Sequence, residues 1–208
     1  NYQNLEIYKI TGDDDFLKEA YQSGKKFYQF YVANRDSDGD GLCEWGGHAE
    51  LESVRDAKVA VWDSVGWAAN FEGLDVNTML VSEANALADM AGLLGFTDEQ
   101  NDWQADADHR AQLIRQTMWD DTIGFFYHVD KTDHDFSFKK KDDLKVKEII
   151  GFLPLWAGVA SEEQAEKLME HLTDPDQFWR RFGVPTLSAQ DDYYDPLGYW
   201  NGPIWVQW

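Results

Sequence analysis

A helical stripe that stops at a glycine and restarts two residues later constrains this chain more than any other feature. Val76, Met79, Leu80, Leu87, Met90, Ala91 and Leu94 share one face of a helical repeat. Asp75 is placed to cap the start, and Gly95 stands just past the end. Thr97 and Gln100 then have capping-box spacing, and Trp103, Ala107, Ile114 and Met118 supply the next buried face. Upstream, LEIYKI is closed by Thr11-Gly12, and Asp13 or Asp14 caps a helix reaching about Asn34. Leu17, Ala20, Tyr21, Phe27, Tyr28 and Tyr31 form its stripe. Downstream, residues 148–159 read as an apolar helix, and Ser161 and Gln164 cap another that Asp174-Pro175 stops. Asn201 and Pro203 open a last helix at IWVQW.

The order is helix, short turn, helix, long loop, repeated. This predicts an all-α chain of stacked helical hairpins that carry their loops on one face. The loops 35–74, 120–146 and 174–200 hold most of the Gly, Asp and aromatic residues. Structureless loops of such length in a compact domain are usually functional. With 43% hydrophobic residues and ten Trp, a large core is available to 208 residues. Net charge is −21, so nucleic acid and anionic membrane are excluded as partners. No apolar run is long enough to span a bilayer, and no signal-peptide pattern is visible. The single Cys43 rules out an intramolecular disulfide and leaves the compartment open.

The first long loop begins NRDSDGDGLCEWGG. Counted as an EF-hand, Asp36, Asp38 and Asp40 take positions 1, 3 and 5, Gly41 takes 6, and Leu42 offers its carbonyl at 7. Position 12 must be Glu and is Gly47, so the EF-hand reading fails. What is left is a different calcium site or an exposed acidic turn. Glu83 stands inside the apolar stripe of the 76–94 helix, where an unpaired carboxylate is costly. It is a candidate for the missing ligand. Its alternatives are a place at the edge of the stripe or a pair with Arg55.

The 44–77 loop mixes Trp45, Trp62 and Trp67 with Glu44, Glu50, Glu52, Asp56 and Asp63. The third long loop ends YYDPLGYWNGPIW, with Tyr199, Trp200 and Trp205. Flat aromatic faces stack on sugar rings, and neighbouring carboxylates can bind hydroxyls or transfer protons. Core packing is the competing role for each Trp.

NRDSDGDGLCEW, FEGLDVNTMLVSEANALADMAGLLG, MWDDTIGFFY, GFLPLWAG and FGVPTLSAQDDYYDPLGYWNGPIW together resemble glycoside hydrolase family 63 and its mannosylglycerate-hydrolase-like relatives. The motifs come in the family's order and cover nearly the whole chain. The resemblance implies an (α/α)6 toroid of about twelve helices. Only about half that number fits here, so residues 1–208 read as a single partial domain, an incomplete barrel lacking hairpins at both ends. It implies inverting hydrolysis of α-glucosides, or of mannosyl and glucosyl conjugates of small acids, by a general acid and a water-activating base. It also implies a structural calcium ion held by Asp36, Asp38, Asp40 and Glu83, and a sugar-binding segment with Tyr199, Trp200 and Trp205.

One departure stands out. The family's general acid lies in a W-E-S-G-x-D-N-like segment, and matched to VWDSVGWAAN that position is Trp67 or Ala68. Asp63 is then the nearest carboxylate and the candidate acid, while the base falls beyond Trp208. Three readings follow: a glycosidase fragment, a carbohydrate-binding homologue that has lost its acid, and a helical interaction protein. An incomplete barrel would also expose the apolar faces of its end hairpins, which favours self-association.

Overall fold

The computed structural model describes residues 1–44, 71–138, 141–198 and 201–204. Two helical hairpins organise the first half. Helix α1 (Tyr2–Thr11) ends at Gly12, whose left-handed φ of 65° lets its N–H reach the Tyr8 carbonyl at 2.8 Å. Helix α2 (Asp14–Arg35) starts at Asp13, whose carboxylate accepts the Phe16 N–H at 3.0 Å. Helices α3 (Leu74–Leu93) and α4 (Thr97–Thr117) form the second hairpin.

The expected caps of that second hairpin are replaced by backbone bonds. The N-cap of α3 is Gly73, and Asp75 lies inside the first turn. The preceding strand fixes the entry, and the Gly73 carbonyl takes the Asn77 N–H at 3.1 Å. Phe96, not Thr97, caps α4, because its carbonyl takes the Gln100 N–H at 2.9 Å. The stripes also shift. Leu80, Leu87, Met90 and Ala91 are buried as expected, but so are Val81, Ala84, Ala86 and Ala88, while Met79 is exposed. Helix α3 is therefore enclosed on most sides. On α2, Leu17, Ala20, Tyr21 and Tyr28 are buried, and Phe27 points outward at 65% exposure.

The expected helix over 148–159 is broken. A 3-10 turn (Ile149–Phe152) passes into one α-helical turn, α5 (Leu153–Trp156). Glu148 bridges Leu187, and the Ile149 N–H goes to the Thr186 carbonyl at 2.9 Å, so this end is held as extended chain. Gly151 lies against the Phe125 ring, where a Cβ would come within 2.1 Å of the ring edge. Helix α6 (Glu162–Thr173) carries the expected capping box between Ser161 and Gln164.

The long loops are not wholly irregular. Strand β1 (Phe71–Glu72) pairs antiparallel with β4 (Val129–Asp130), and β2 (Trp119–Asp120) with β3 (Phe125–Phe126). The fold is still mostly helical, with one core running from Leu17 and Tyr21 through Leu87, Met90, Ile114 and Met118 to Phe125, Phe126 and Phe178. No described helix is long and apolar enough to cross a membrane.

Candidate metal centre and sugar-binding segments

The acidic loop begins where α2 stops. Asp36 takes the Gly39 and Gly41 N–H groups on its two carboxylate oxygens, at 2.8 and 3.2 Å. Asp40 takes the Leu42 N–H at 2.8 Å. Gly39 and Gly41 adopt φ of 78° and 95°, the left-handed region that glycine enters without strain. Gly41 is further confined by the Leu113 side chain, 2.9 Å from where a Cβ would stand.

The loop is fastened from beneath. Asn77 of α3 brackets Cys43, accepting its N–H at 2.8 Å and donating to its carbonyl at 2.9 Å. Arg110 of α4 is buried and donates to the Gly41 carbonyl at 2.5 Å and to Asn77 Oδ1 at 3.2 Å. Cys43 Sγ lies 3.8 Å from the guanidinium, yet burial pushes the thiol up to about 12, so it stays neutral.

Two further carboxylates close over the loop. Glu44 reaches back to Ser37, accepting its N–H at 3.0 Å and its hydroxyl proton. Glu44 also bridges Glu72, the second residue of β1. Strand pairing thereby delivers the Glu72 side chain to Asp38 and Glu44, with one oxygen of each within 4.8 Å of the others. Asp36, Asp38 and Asp40 satisfy the same condition among themselves. Glu72 has no accessible surface, and neither of its carboxylate oxygens has a hydrogen-bond partner among the described residues. Burial, followed by the charges of Asp40, Glu44, Asp38 and Asp36, pushes its carboxyl up to about 9.

The structure does not bring Glu83 to this loop. Its carboxylate lines a groove of about 750 Å³ with Tyr2, Phe27, Tyr31 and Trp156. Glu83 is only partly buried, at the edge of the α3 stripe, so its carboxylate does not carry the cost of a buried charge. Glu44 stands at position 9 of the loop count, a recognised ligand position of such loops that the position-12 criterion leaves out. Glu72 carries no local signal at all. A donor set of carboxylates around a buried oxygen pair suits a hard cation of calcium's kind. Either of two trios that share Asp38 would hold it, Asp36, Asp38 and Asp40 or Asp38, Glu44 and Glu72; Leu42, whose carbonyl is expected at position 7, follows two residues after Asp40.

Trp62, Asp63, Trp67, Tyr199, Trp200 and Trp205 lie outside the described residues. The chain flanking Tyr199 and Trp200 is nevertheless well anchored. Thr186 donates to the Pro203 carbonyl at 3.2 Å, and its hydroxyl accepts the Gly202 N–H at 3.0 Å. Asp195 donates to the Asn201 carbonyl at 2.7 Å. Residues 202 and 203 are thereby tied to Thr186, whose carbonyl in turn accepts the Ile149 N–H at the 3-10 turn.

The model of the mannosylglycerate hydrolase MGH1-like glycoside hydrolase domain matches residues 4–208. The chain belongs to that family. Mannosylglycerate hydrolase MGH2 of Selaginella moellendorffii is 29% identical over 139 residues, covering 64% of this chain and 25% of that protein. The mannosylglycerate hydrolase of Thermus thermophilus is 26% identical over 100 residues, 47% of this chain and 21% of that one. The chain thus spans about a quarter of the length of the curated relatives it matches. Among solved structures, the family-63 mannosylglycerate hydrolase of Thermus thermophilus in complex with Tris superposes with a TM-score of 0.71 at 16% identity, over 98% of this chain and 59% of that one. A structure named as a sialidase superposes at 0.73 and 18% identity, over 99% of this chain and 18% of that one. The mannosylglycerate-hydrolase-like members share with this chain the hairpins of an (α/α)6 toroid, here an incomplete barrel. Because the same scaffold carries differently named enzymes, it does not by itself select a sugar.

Proposed function

We propose that this chain is part of an inverting glycosidase catalytic domain acting on α-glucosides or on α-mannosyl and α-glucosyl conjugates of a small acid. The family match over residues 4–208 carries the reading. The aromatic segment at Tyr199, Trp200 and Trp205, with Trp62 and Trp67, would face the sugar, and carboxylates would supply the proton and activate water.

Two registers compete for the general acid. In the first, VWDSVGWAAN leaves Asp63 as the nearest carboxylate. In the second, Glu52-Ser53-Val54-Arg55-Asp56 keeps the E-S pair and sets Asp56 four residues after the Glu, the spacing of E-S-G-x-D. The second is favoured because it retains a proton donor where the chemistry needs one. The Glu44 carboxylate accepts from Ser37 and stands with Asp38 and Glu72, which supports a place in the acidic loop over a catalytic role. Asp56→Asn and Asp63→Asn should be assayed on aryl α-glycosides and α-mannosylglycerate in protein carrying the whole toroid, with the product anomer read by NMR. Loss of about a hundredfold or more in one variant identifies the acid. Full activity in both refutes this assignment. Binding of sugar without turnover by the parent favours the carbohydrate-binding homologue instead, the reading that Trp67 or Ala68 at the acid position supports.

We also infer a structural calcium ion at the acidic loop, supported by the partnerless Glu72. It would tie the end of α2 to β1 and take no part in bond cleavage. Calorimetry on chelator-treated protein should find one site that Asp38→Ala weakens strongly. Identical melting with and without calcium would leave the loop as a turn.

The exposed apolar side chains Phe27, Phe30, Met79 and Trp156 support self-association of the isolated chain. Sedimentation should find dimers or larger species, and a clean monomer would exclude this.

A further inference from the structure

Two basic side chains, Lys131 and His134, already touch the acidic loop, and both come from one turn. That turn follows β4, the partner of the strand that carries Glu72. It is closed by the Asp130 N–H on the Asp135 carbonyl at 2.8 Å, the His134 N–H on the Asp130 carbonyl at 3.0 Å and the Thr132 N–H on Asp130 Oδ1 at 2.8 Å. Lys131 Nζ lies 3.1 Å from Ser37 Oγ and 3.5 Å from Glu44 Oε1. His134 has a φ of 56°, which non-glycine residues rarely adopt, and its Nε2 sits 2.6 Å from Asp40 Oδ2. The turn therefore spends backbone strain to hold its side chains over the loop.

The two side chains reach only the outer carboxylates. Glu44 and Asp40 are contacted, while Glu72, behind them, keeps both oxygens without a partner among the described residues. A metal ion ligated by Asp38, Glu44 and Glu72 would share Glu44 with Lys131. Two cations on one carboxylate repel at close range, and little water intervenes because Glu44 is buried.

We propose that Lys131 is the resident counter-ion of the acidic loop, that it gives way when a metal ion binds, and that it thereby sets the ion affinity of the site. The proposal rests on the metal reading above and concerns a residue outside the ligand set. Lys131 holds the loop's carboxylates together in the metal-free protein and competes with calcium for them.

The experiment titrates chelator-stripped chain with calcium by calorimetry, and with terbium(III) by direct luminescence. The variants are Lys131→Met, Lys131→Gln and Lys131→Arg, and Asp38→Ala identifies the site. Lys131→Gln keeps a donor for Ser37 and guards against a misfolded Lys131→Met. Removing the charge should tighten calcium binding about tenfold or more and lower the melting temperature of the metal-free protein, whereas Lys131→Arg should behave as the parent. Unchanged or weaker binding in Lys131→Met and Lys131→Gln, with the parent still binding, overturns the proposal and leaves the metal reading intact. No ion binding by parent or variants overturns both.

Discussion

The Glu72→Gln substitution isolates one ionisation whose effect on stability has a definite sign. In the metal-free fold, burial and four neighbouring carboxylates raise the Glu72 carboxyl to about 9, against 4.5 for an ordinary Glu. The folded protein therefore keeps a proton that the unfolded chain releases above pH 4.5. Stability must fall as pH rises through the window from 4.5 to about 9. One proton corresponds to about 1.4 kcal/mol per pH unit, so between pH 5 and pH 8 the ceiling for this group is about 4 kcal/mol. For a domain of this size, that is on the order of 8–16 °C in melting temperature. Glutamine has nearly the same shape and no charge. Chelator-treated parent and variant should be melted at half-unit steps across that range. The difference between them should grow steadily with pH in favour of the variant, and calcium at pH 8 should raise the parent's melting temperature more than the variant's. Parallel pH profiles would refute the reasoning, since they would mean that Glu72 does not hold its proton above the ordinary range.

Other substitutions probe the frame around the loop. Arg110→Met, which removes a buried cation together with its hydrogen bonds to the Gly41 carbonyl and to Asn77 Oδ1, should cost about 3–5 kcal/mol in urea unfolding. A cost below about 1 kcal/mol would mean that the guanidinium does not hold the loop. Leu87→Ala should cost about 2–5 kcal/mol by the same assay, while Met79→Ala, on the exposed side of α3, should fall within about 0.5 kcal/mol. Ser161→Ala should cost about 1 kcal/mol by opening the α6 capping box. Cys43 should resist thiol reagents in the folded protein and react on unfolding, because it is buried and its thiol is pushed up to about 12.

The helices were legible in the sequence because helical spacing and local caps are short-range properties. Helices α2, α3 and α6 fall within a residue or two of the ranges read from the sequence, α1 ends at the expected Thr11-Gly12, α4 starts at the expected Thr97, and the Ser161–Gln164 box forms as expected. The motifs that placed the chain in its family were legible for the same reason, being contiguous strings. The aspartate loop was half legible: Asp36, Asp38, Asp40 and Gly41 lie within six residues, so their spacing alone suggests a cation. What completes the site was not. Glu83 is distinguished by its place in an apolar stripe, yet the tertiary fold sets it in a groove with Tyr2, Phe27 and Trp156, away from the acidic loop. Glu72 sits in an unremarkable FEG stretch and reaches Asp38 only because β1 pairs with β4 and bridges Glu44. The helix expected over 148–159 failed similarly, since long-range bonds from Glu148 and Ile149 to the 186–187 segment prevail over local helical preference. Sequence spacing reports which residues share a face of one element. Which carboxylate ends without water or a partner is decided by burial and by pairing between segments far apart in the chain, and only the assembled fold sets those.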